Sequence, residues 1–450
     1  MPSDLLRDGT AERPQPGAVR RPLPIREGLL TAAFAGLLVL ALLGPLTSTS
    51  GLPMSGEGSP LRQGTYLIVI AMILGGLRPL TAPGRLLAVP LAMTAALAWC
   101  WISIAWSVAP DVALRRLILT SLIIWSAFAA VRALGYERSL LVIRIALVLA
   151  LVANYVAVLL FPMTGIHQAS EVYDKQLVGD WRGIMTQKNH AGAVSALAVI
   201  VFLLDARRIP VVARAAVVAM AGYFLYRTGS RTSLGDCIGA TLIGLVFLRY
   251  NAKYRLLLLP VICLLVFAAG SITNFYADPL SLLFQKKATL SGRLDIWDAL
   301  LRYSADNPLL GAGYGSFWNV GPASPIYQYG RGWLLILAQG HNGFLDLLVT
   351  LGIPGLLLVV GATVVWPLVR LFGHRGAGGQ RGALVLAMII FCVTHNSTES
   401  TLFDRDGIAQ VFLMVAIALL CALTANIRDR GIHARVFNVS GKITNPDLIG

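Results

Sequence analysis

The chain has 450 residues, 56% of them hydrophobic and only 13% charged, with a formal net charge of +15 at pH 7 and a mean hydropathy of +0.71. Soluble folds of this length do not carry so little charge, so the composition excludes a water-soluble globular protein and points to a polytopic membrane protein. The surplus arginines sit in short connections without a basic and aromatic RNA-binding signature, which makes them a topology signal and excludes a nucleic-acid surface.

Residues 1–28 are polar and rich in Pro and Arg, lack a small-residue cleavage site, and precede an apolar run too long for a signal peptide; they read as a cytoplasmic extension. About twelve apolar runs follow, most of them near the roughly 20 residues that a helix needs to cross a bilayer. They cover residues 29–46, 64–77, 86–106, 114–134, 139–161, 189–205, 211–227, 232–249, 255–272, 341–371, 382–396 and 404–425. Arg78 and Arg85, Arg132 and Arg138, Arg207, Arg208 and Arg214, Arg249, Lys253 and Arg255, and Arg370, Arg375 and Arg381 fall in alternate connections. The positive-inside rule places those connections in the cytoplasm with the N-terminal extension and a tail over 426–450. Arg144 lies within an apolar run. The cysteines Cys100, Cys237, Cys263, Cys392 and Cys421 show no paired spacing and read as small core residues.

Two connections on the opposite, outer side are long, 162–188 and 273–340, and loops of that size in a compact protein tend to carry function. Within the larger one the sequence predicts a helix on the membrane surface, capped by Ser291, with Leu294, Trp297, Leu300 and Leu301 at helical spacing and a stop at Asn307-Pro308. Gly311, Gly313 and Gly315 then permit a tight backbone path, as against a ligand.

Ionisable groups at a membrane edge are costly, and the outer connections hold many. Arg182, Lys188 and His190 come from one loop, Arg227 and Arg231 from a short turn, Arg293 and Arg302 from the large loop, and His341 follows it. Pairing with Asp180, Asp236, Asp295 or Asp298 explains any one of these basic groups about as well as a site does. For Arg231 and Arg293 together a site is favoured, because guanidinium forks suit a diphosphate. His341 has no metal-ligand partner at helical spacing, and an imidazole suits a base toward a sugar hydroxyl. Aromatics such as Trp297 and Tyr314 can belt the interface or stack on pyranose rings. The acidic turn with Glu399, Asp404 and Asp406 is weighed as a metal-binding motif and set aside.

Seven short stretches, in this order and spacing, carry a family resemblance: WSVAPDVALRR (106–116), RGIMTQKNHAG (182–192), RTGSRTSL (227–234), SGRLDIW (291–297), NPLLGAGYGSF (307–317), GHNGFLDLLVTLGIPG (340–355) and TESTLFDRDG (398–407). Together they resemble the O-antigen ligase and Wzy-type polymerase superfamily, and most of all its exopolysaccharide polymerases. The resemblance spans roughly residues 85–415. It implies an all-α, GT-C-like membrane bundle over 29–425 with a large periplasmic loop, acting in the bacterial inner membrane. It further implies a glycosyltransferase that takes an undecaprenyl-diphosphate-linked glycan as donor and a second glycan as acceptor, without cofactor or metal, working beside export and chain-length-control proteins. On this resemblance Arg231 and Arg293 contact the donor diphosphate and His341 activates the acceptor hydroxyl. Arg182, Lys188, Arg227, Trp297 and Tyr314 are further expected substrate contacts. A ligase acting on lipid A core and a protein O-oligosaccharyltransferase share these residues, whereas a polysaccharide transporter would need polar groups near the bilayer midplane.

Overall fold

Apolar runs without water to bond their backbone must close their hydrogen bonds internally, and in this chain they do so as helices. The computed structural model describes residues 25–43, 60–170, 177–250, 254 and 291–440, among which there is no strand and one isolated bridge, Ile166 to Trp181. In chain order the helices are α1 Ile25–Leu43, α2 Pro60–Leu77, α3 Leu91–Ile102, α4 Pro110–Leu160, α5 Lys188–Leu203, α6 Val211–Arg227, α7 Arg231–Arg249, α8 Ser291–Asp306, α9 Gly343–Val360, α10 Trp366–Gly373, α11 Gly379–His395 and α12 Ile408–Ser440. Each apolar run within the described residues forms a helix over most of its length, those at 86–106, 341–371 and 404–425 starting at Leu91, Gly343 and Ile408; residues 44–46, the run 255–272 and residues 273–290 lie outside them. Five stretches are long and apolar enough to cross a membrane, and shorter apolar helices accompany them. The chain is an all-α, multi-pass membrane protein. α4 turns back at Gly135, whose φ is 75°, so it supplies two of the expected passes. α12 continues past the end of its apolar run at 425 to Ser440.

Connections assigned to the same side by charge meet at the same end of the bundle. At the outer end Asp406 accepts from Arg62 and from the Tyr66 hydroxyl, Ser107 Oγ lies 2.6 Å from Ser316 Oγ, and the Trp181 amide donates to the Arg227 carbonyl at 3.0 Å. At the inner end Arg138 pairs with Glu27 at 2.6 Å, Arg26 donates to the Gly76 carbonyl at 2.6 Å, and Glu137 pairs with Arg208 and Arg381. Arg144 reaches this inner end, where Nη2 donates to the carbonyls of Val201 and Asp205 just at the end of α5. It is thus a cation at a helix C-terminus and not a charge left at the midplane.

Two features depart from the sequence reading. The apolar stripe of α8 is rotated: Ile296, Ala299, Leu300 and Tyr303 are buried against Phe317, Trp318 and Val349, while Leu294 and Leu301 are half exposed. Buried neighbours from the following loop, invisible to periodicity, select the face. The second departure is a break in α9 at Gly352, where φ is 67°. The loop after α8 fills the break: the Ile353 amide donates to the Pro308 carbonyl at 2.8 Å and the Ala312 amide to the Val349 carbonyl at 2.8 Å. Trp99 Nε1 takes the Leu351 carbonyl at 3.1 Å. Gly311 and Gly313 therefore approach protein and not a ligand, lying against Thr350 and Ser107 respectively.

A Cβ at Gly352 would stand 2.1 Å from the Leu309 carbonyl oxygen, on a backbone that L-residues avoid, whereas one at Gly361 meets nothing within 4 Å. Gly352→Ala is expected to destabilise the protein by about 3 kcal/mol and Gly361→Ala to leave it unchanged, read from thermal unfolding midpoints in detergent.

Candidate functional site

The site forms where four outer segments converge on one carboxylate. Glu399 follows the last turn of α11, with its amide bonded to the His395 carbonyl at 3.0 Å, and its side chain is only 5% exposed. Oε1 accepts from Asn189 Nδ2 of α5 at 2.7 Å and lies 3.5 Å from Arg293 Nη2 of α8. Oε2 lies 3.8 Å from His341 Nδ1. Arg293 and His341 remain 21% and 25% exposed, so both can be reached from outside. Burial by itself would raise the Glu399 carboxyl; the His341 ring, with His395 and Arg293, overrides it and holds the group below the usual 4.5.

His341 is held in an uncommon backbone conformation, φ 51°, at the entrance to α9, and everything around it is fixed. Asn342 caps the helix, its Oδ1 accepting from the amides of Phe344 at 3.1 Å and Leu345 at 3.2 Å. The Gly343 amide donates to the carbonyls of Asn396 and Glu399. Gly340, just before the histidine, donates its amide to Asp346 while its carbonyl accepts from Trp297 Nε1 at 3.0 Å. Asp346 also takes Trp318 Nε1 at 2.8 Å. A residue clamped from both neighbours can keep a strained φ, which is how sites hold a reactive side chain ready.

The expected site residues divide into three groups. Arg293 and His341 are brought together through Glu399. Arg231 opens α7 at the same end, exposed and without a hydrogen bond or ion pair among the described residues, to the other two or to any other group. The remaining residues are engaged in holding the fold. Lys188 is paired with Asp180 at 2.6 Å, the alternative the sequence had left open. Arg182 Nε donates to the Thr164 carbonyl at 2.7 Å, and Arg227 stacks 4.5 Å over the Trp181 ring. Trp297 serves the Gly340 clamp instead of an open stacking platform. Tyr314 is corrected more sharply: it is 5% exposed, and its hydroxyl is bonded to Thr120 Oγ1 and the Phe403 carbonyl, each at 2.7 Å. It braces the loop from inside.

Asp404 pairs with Arg405 at 2.9 Å and Asp406 with Arg62 and Tyr66, which occupies the acidic turn from within the chain. Among the described residues no group of His, Cys, Asp or Glu is arranged to hold a metal ion. The sequence singled out neither Asn189 nor Asp346, and Glu399 entered only as part of an acidic turn that was set aside. Glu399, Asn189 and Asp346 lie inside three of the family-like motifs, and that was the signal that could have drawn them out.

Comparison with known families supports one class. Residues 215–360 match the O-antigen ligase family. The match bears out the resemblance carried by the motifs, and members of this family are glycosyltransferase-like ligases and polymerases of membranes. The matched O-antigen ligase stretch contains Arg231, Arg293 and His341, and leaves Glu399 and Asn189 outside. No curated protein matches the chain.

A carboxyl held below its ordinary value stabilises the fold above that value and loses the contribution as pH falls through the lowered one. Glu399→Gln is therefore expected to be less stable than the wild type at pH 7 by about 1–3 kcal/mol. The gap should narrow as pH drops below 4.5, measured by thermal unfolding across a pH series.

Proposed function

We propose that the protein is a membrane glycosyltransferase that joins lipid-diphosphate-linked oligosaccharide units at the periplasmic face, building an exopolysaccharide. The observation that carries this reading is the Arg293–Glu399–His341 cluster, about a quarter exposed at its two basic members, at the end of the bundle that the positive-inside pattern assigns to the periplasm.

His341 is the base. Glu399 lies on the Nδ1 side of the ring, and a charged carboxylate outweighs the neutral Gln339 amide, 3.4 Å from the same nitrogen, in drawing a proton there. The Nε2 lone pair is then free to take the proton of the acceptor hydroxyl. A separation of 3.8 Å is long for a hydrogen bond, but such pairs tighten when substrate is bound. The acceptor oxygen attacks the anomeric carbon of the donor sugar from the face opposite the leaving group, the bond from that carbon to the phosphate oxygen breaks, and the configuration inverts. Lipid diphosphate departs with the bonding electrons.

Charge then grows on the diphosphate. Arg293 offers a guanidinium with N–H groups beyond the one facing Glu399, and Arg231 is exposed at the same end of the bundle; both are suited to bidentate contact with phosphate oxygens. Interactions that strengthen as charge develops act on the rate, in the manner of an oxyanion hole. The donor in this reading is undecaprenyl diphosphate carrying the glycan, its tail in the bilayer of the inner membrane, with export and chain-length-control proteins as further partners.

The test is purified protein incubated with a lipid-diphosphate oligosaccharide, scoring lengthened glycan and released lipid diphosphate. His341→Ala is expected to lower turnover by about 10²–10⁴ with the protein still in the membrane; unchanged turnover removes the base. Arg293→Lys and Arg231→Lys should each cost about 10²–10³ through loss of the fork. EDTA should leave turnover intact, and loss restored by Mg²⁺ would return the acidic turn to the mechanism.

A further inference from the structure

The mechanism leaves one buried imidazole unused. His395 is 2% exposed at the end of α11, where an apolar side chain would fill the space without the cost of burying polar nitrogens. Its Nε2 lies 3.2 Å from Ser233 Oγ, and Ser233 Oγ accepts from Ser230 Oγ at 2.9 Å. The two serines are 0% and 3% exposed and share one face of α7 at i,i+3 spacing. Gly192 of α5 closes over them, since a Cβ there would stand 2.9 Å from Ser230 Cβ and Ser233 Oγ. Ser230 is the residue at the head of α7, yet it makes no side-chain cap; its hydroxyl goes to the row.

That row ends directly before Arg231. The main chain of the same histidine holds the other part of the site, because the His395 carbonyl accepts the Glu399 amide at 3.0 Å. One residue thus ties the first turn of α7 by its side chain and the Glu399 loop by its backbone. Arg231 itself has no partner among the described residues that would fix its place, so the position of its Cα depends on how α7 begins.

We propose that His395 is a positioning residue for the transfer reaction, setting the start of α7, and with it Arg231, at a fixed distance from the Arg293–Glu399–His341 cluster. This rests on the reading of Arg231 as a diphosphate contact. It assigns His395 no contact with substrate. A histidine that only fills the core would make the same van der Waals contacts, but its loss would not be felt through Arg231.

A double-mutant cycle separates the two roles. The full-length protein in nanodiscs is titrated with a polyprenyl diphosphate, using His395→Leu, His395→Gln and Ser233→Ala, each with Arg231 intact and with Arg231→Ala. With Arg231 intact, His395→Leu and Ser233→Ala are expected to weaken binding by about tenfold, and His395→Gln, whose amide can still meet Ser233, by less than about twofold; coupled neighbours lose such effects when the partner is gone. In the Arg231→Ala background His395→Leu should then change binding less than about twofold. Equal losses in both backgrounds overturn the proposal, as does wild-type binding by both His395→Leu and Ser233→Ala, or a Gln variant as weak as the Leu one. Should His395→Leu not fold, Ser233→Ala, which removes one oxygen, completes the cycle. If Arg231→Ala alone binds like the wild type, the reading of Arg231 fails instead, a result distinct from the others.

Discussion

A carboxylate withdrawn from water needs donors and positive charge around it, or it costs several kcal/mol. Glu399 meets that requirement with groups that no local rule brings together: an amide from the head of α5, a guanidinium from α8 and an imidazole from the loop into α9. Each donor comes from a different outer segment. The need of one buried anion is therefore what gathers an arginine and a histidine, some fifty residues apart in the chain, onto a common rim where both stay partly open.

The precision of that rim comes from a second set of bonds behind it. The loop from Gly311 to Asn319 is tied to the body of the bundle by Arg116, whose guanidinium donates to the carbonyls of Gly315, Trp318 and Asn319, and by the Tyr314 hydroxyl. Asp346 and Trp297 then hold Gly340 from both sides. Charged and aromatic side chains that a reader would assign to substrate spend their hydrogen-bonding capacity on backbone instead. Catalytic geometry tolerates little slack, and bonds of this kind keep a reactive side chain in place before substrate arrives.

Much of this was legible in the order of residues because it rests on short-range physics. Helix positions follow from runs of apolar residues, and the grouping of connections at one end of the bundle or the other follows from where arginines fall; both hold through the described part of the chain. His341 and Arg293 could be singled out because an ionisable group at a membrane edge is unusual. Glu399 could not, since an acid in an outer turn looks like any solvated residue until a partner from a distant segment is folded onto it. Lys188 and Arg227 erred the other way: as basic residues in a functional-looking loop they drew attention, and Asp180 and Trp181 account for them. The rotated stripe of α8 comes from the loop that follows it, whose path no periodicity encodes, whereas the break in α9 has a local cause: Gly352 takes a positive φ and Pro354, inside the helix, has no N–H for the carbonyl four residues back.

The break at Gly352 also changes how the bilayer acts on the protein. His341 stands at the head of a short rod, Gly343 to Leu351, that is pinned to the loop over 307–312 and ends at a joint, and the longer rod beyond the joint carries exposed apolar residues such as Ile353 and Leu357. Thickening or thinning of the lipid around a one-piece helix would tilt the whole of it. Here the joint at Gly352 frees the rod beyond it to tilt on its own, a construction suited to keeping the imidazole at one distance from Glu399 as the membrane varies in thickness.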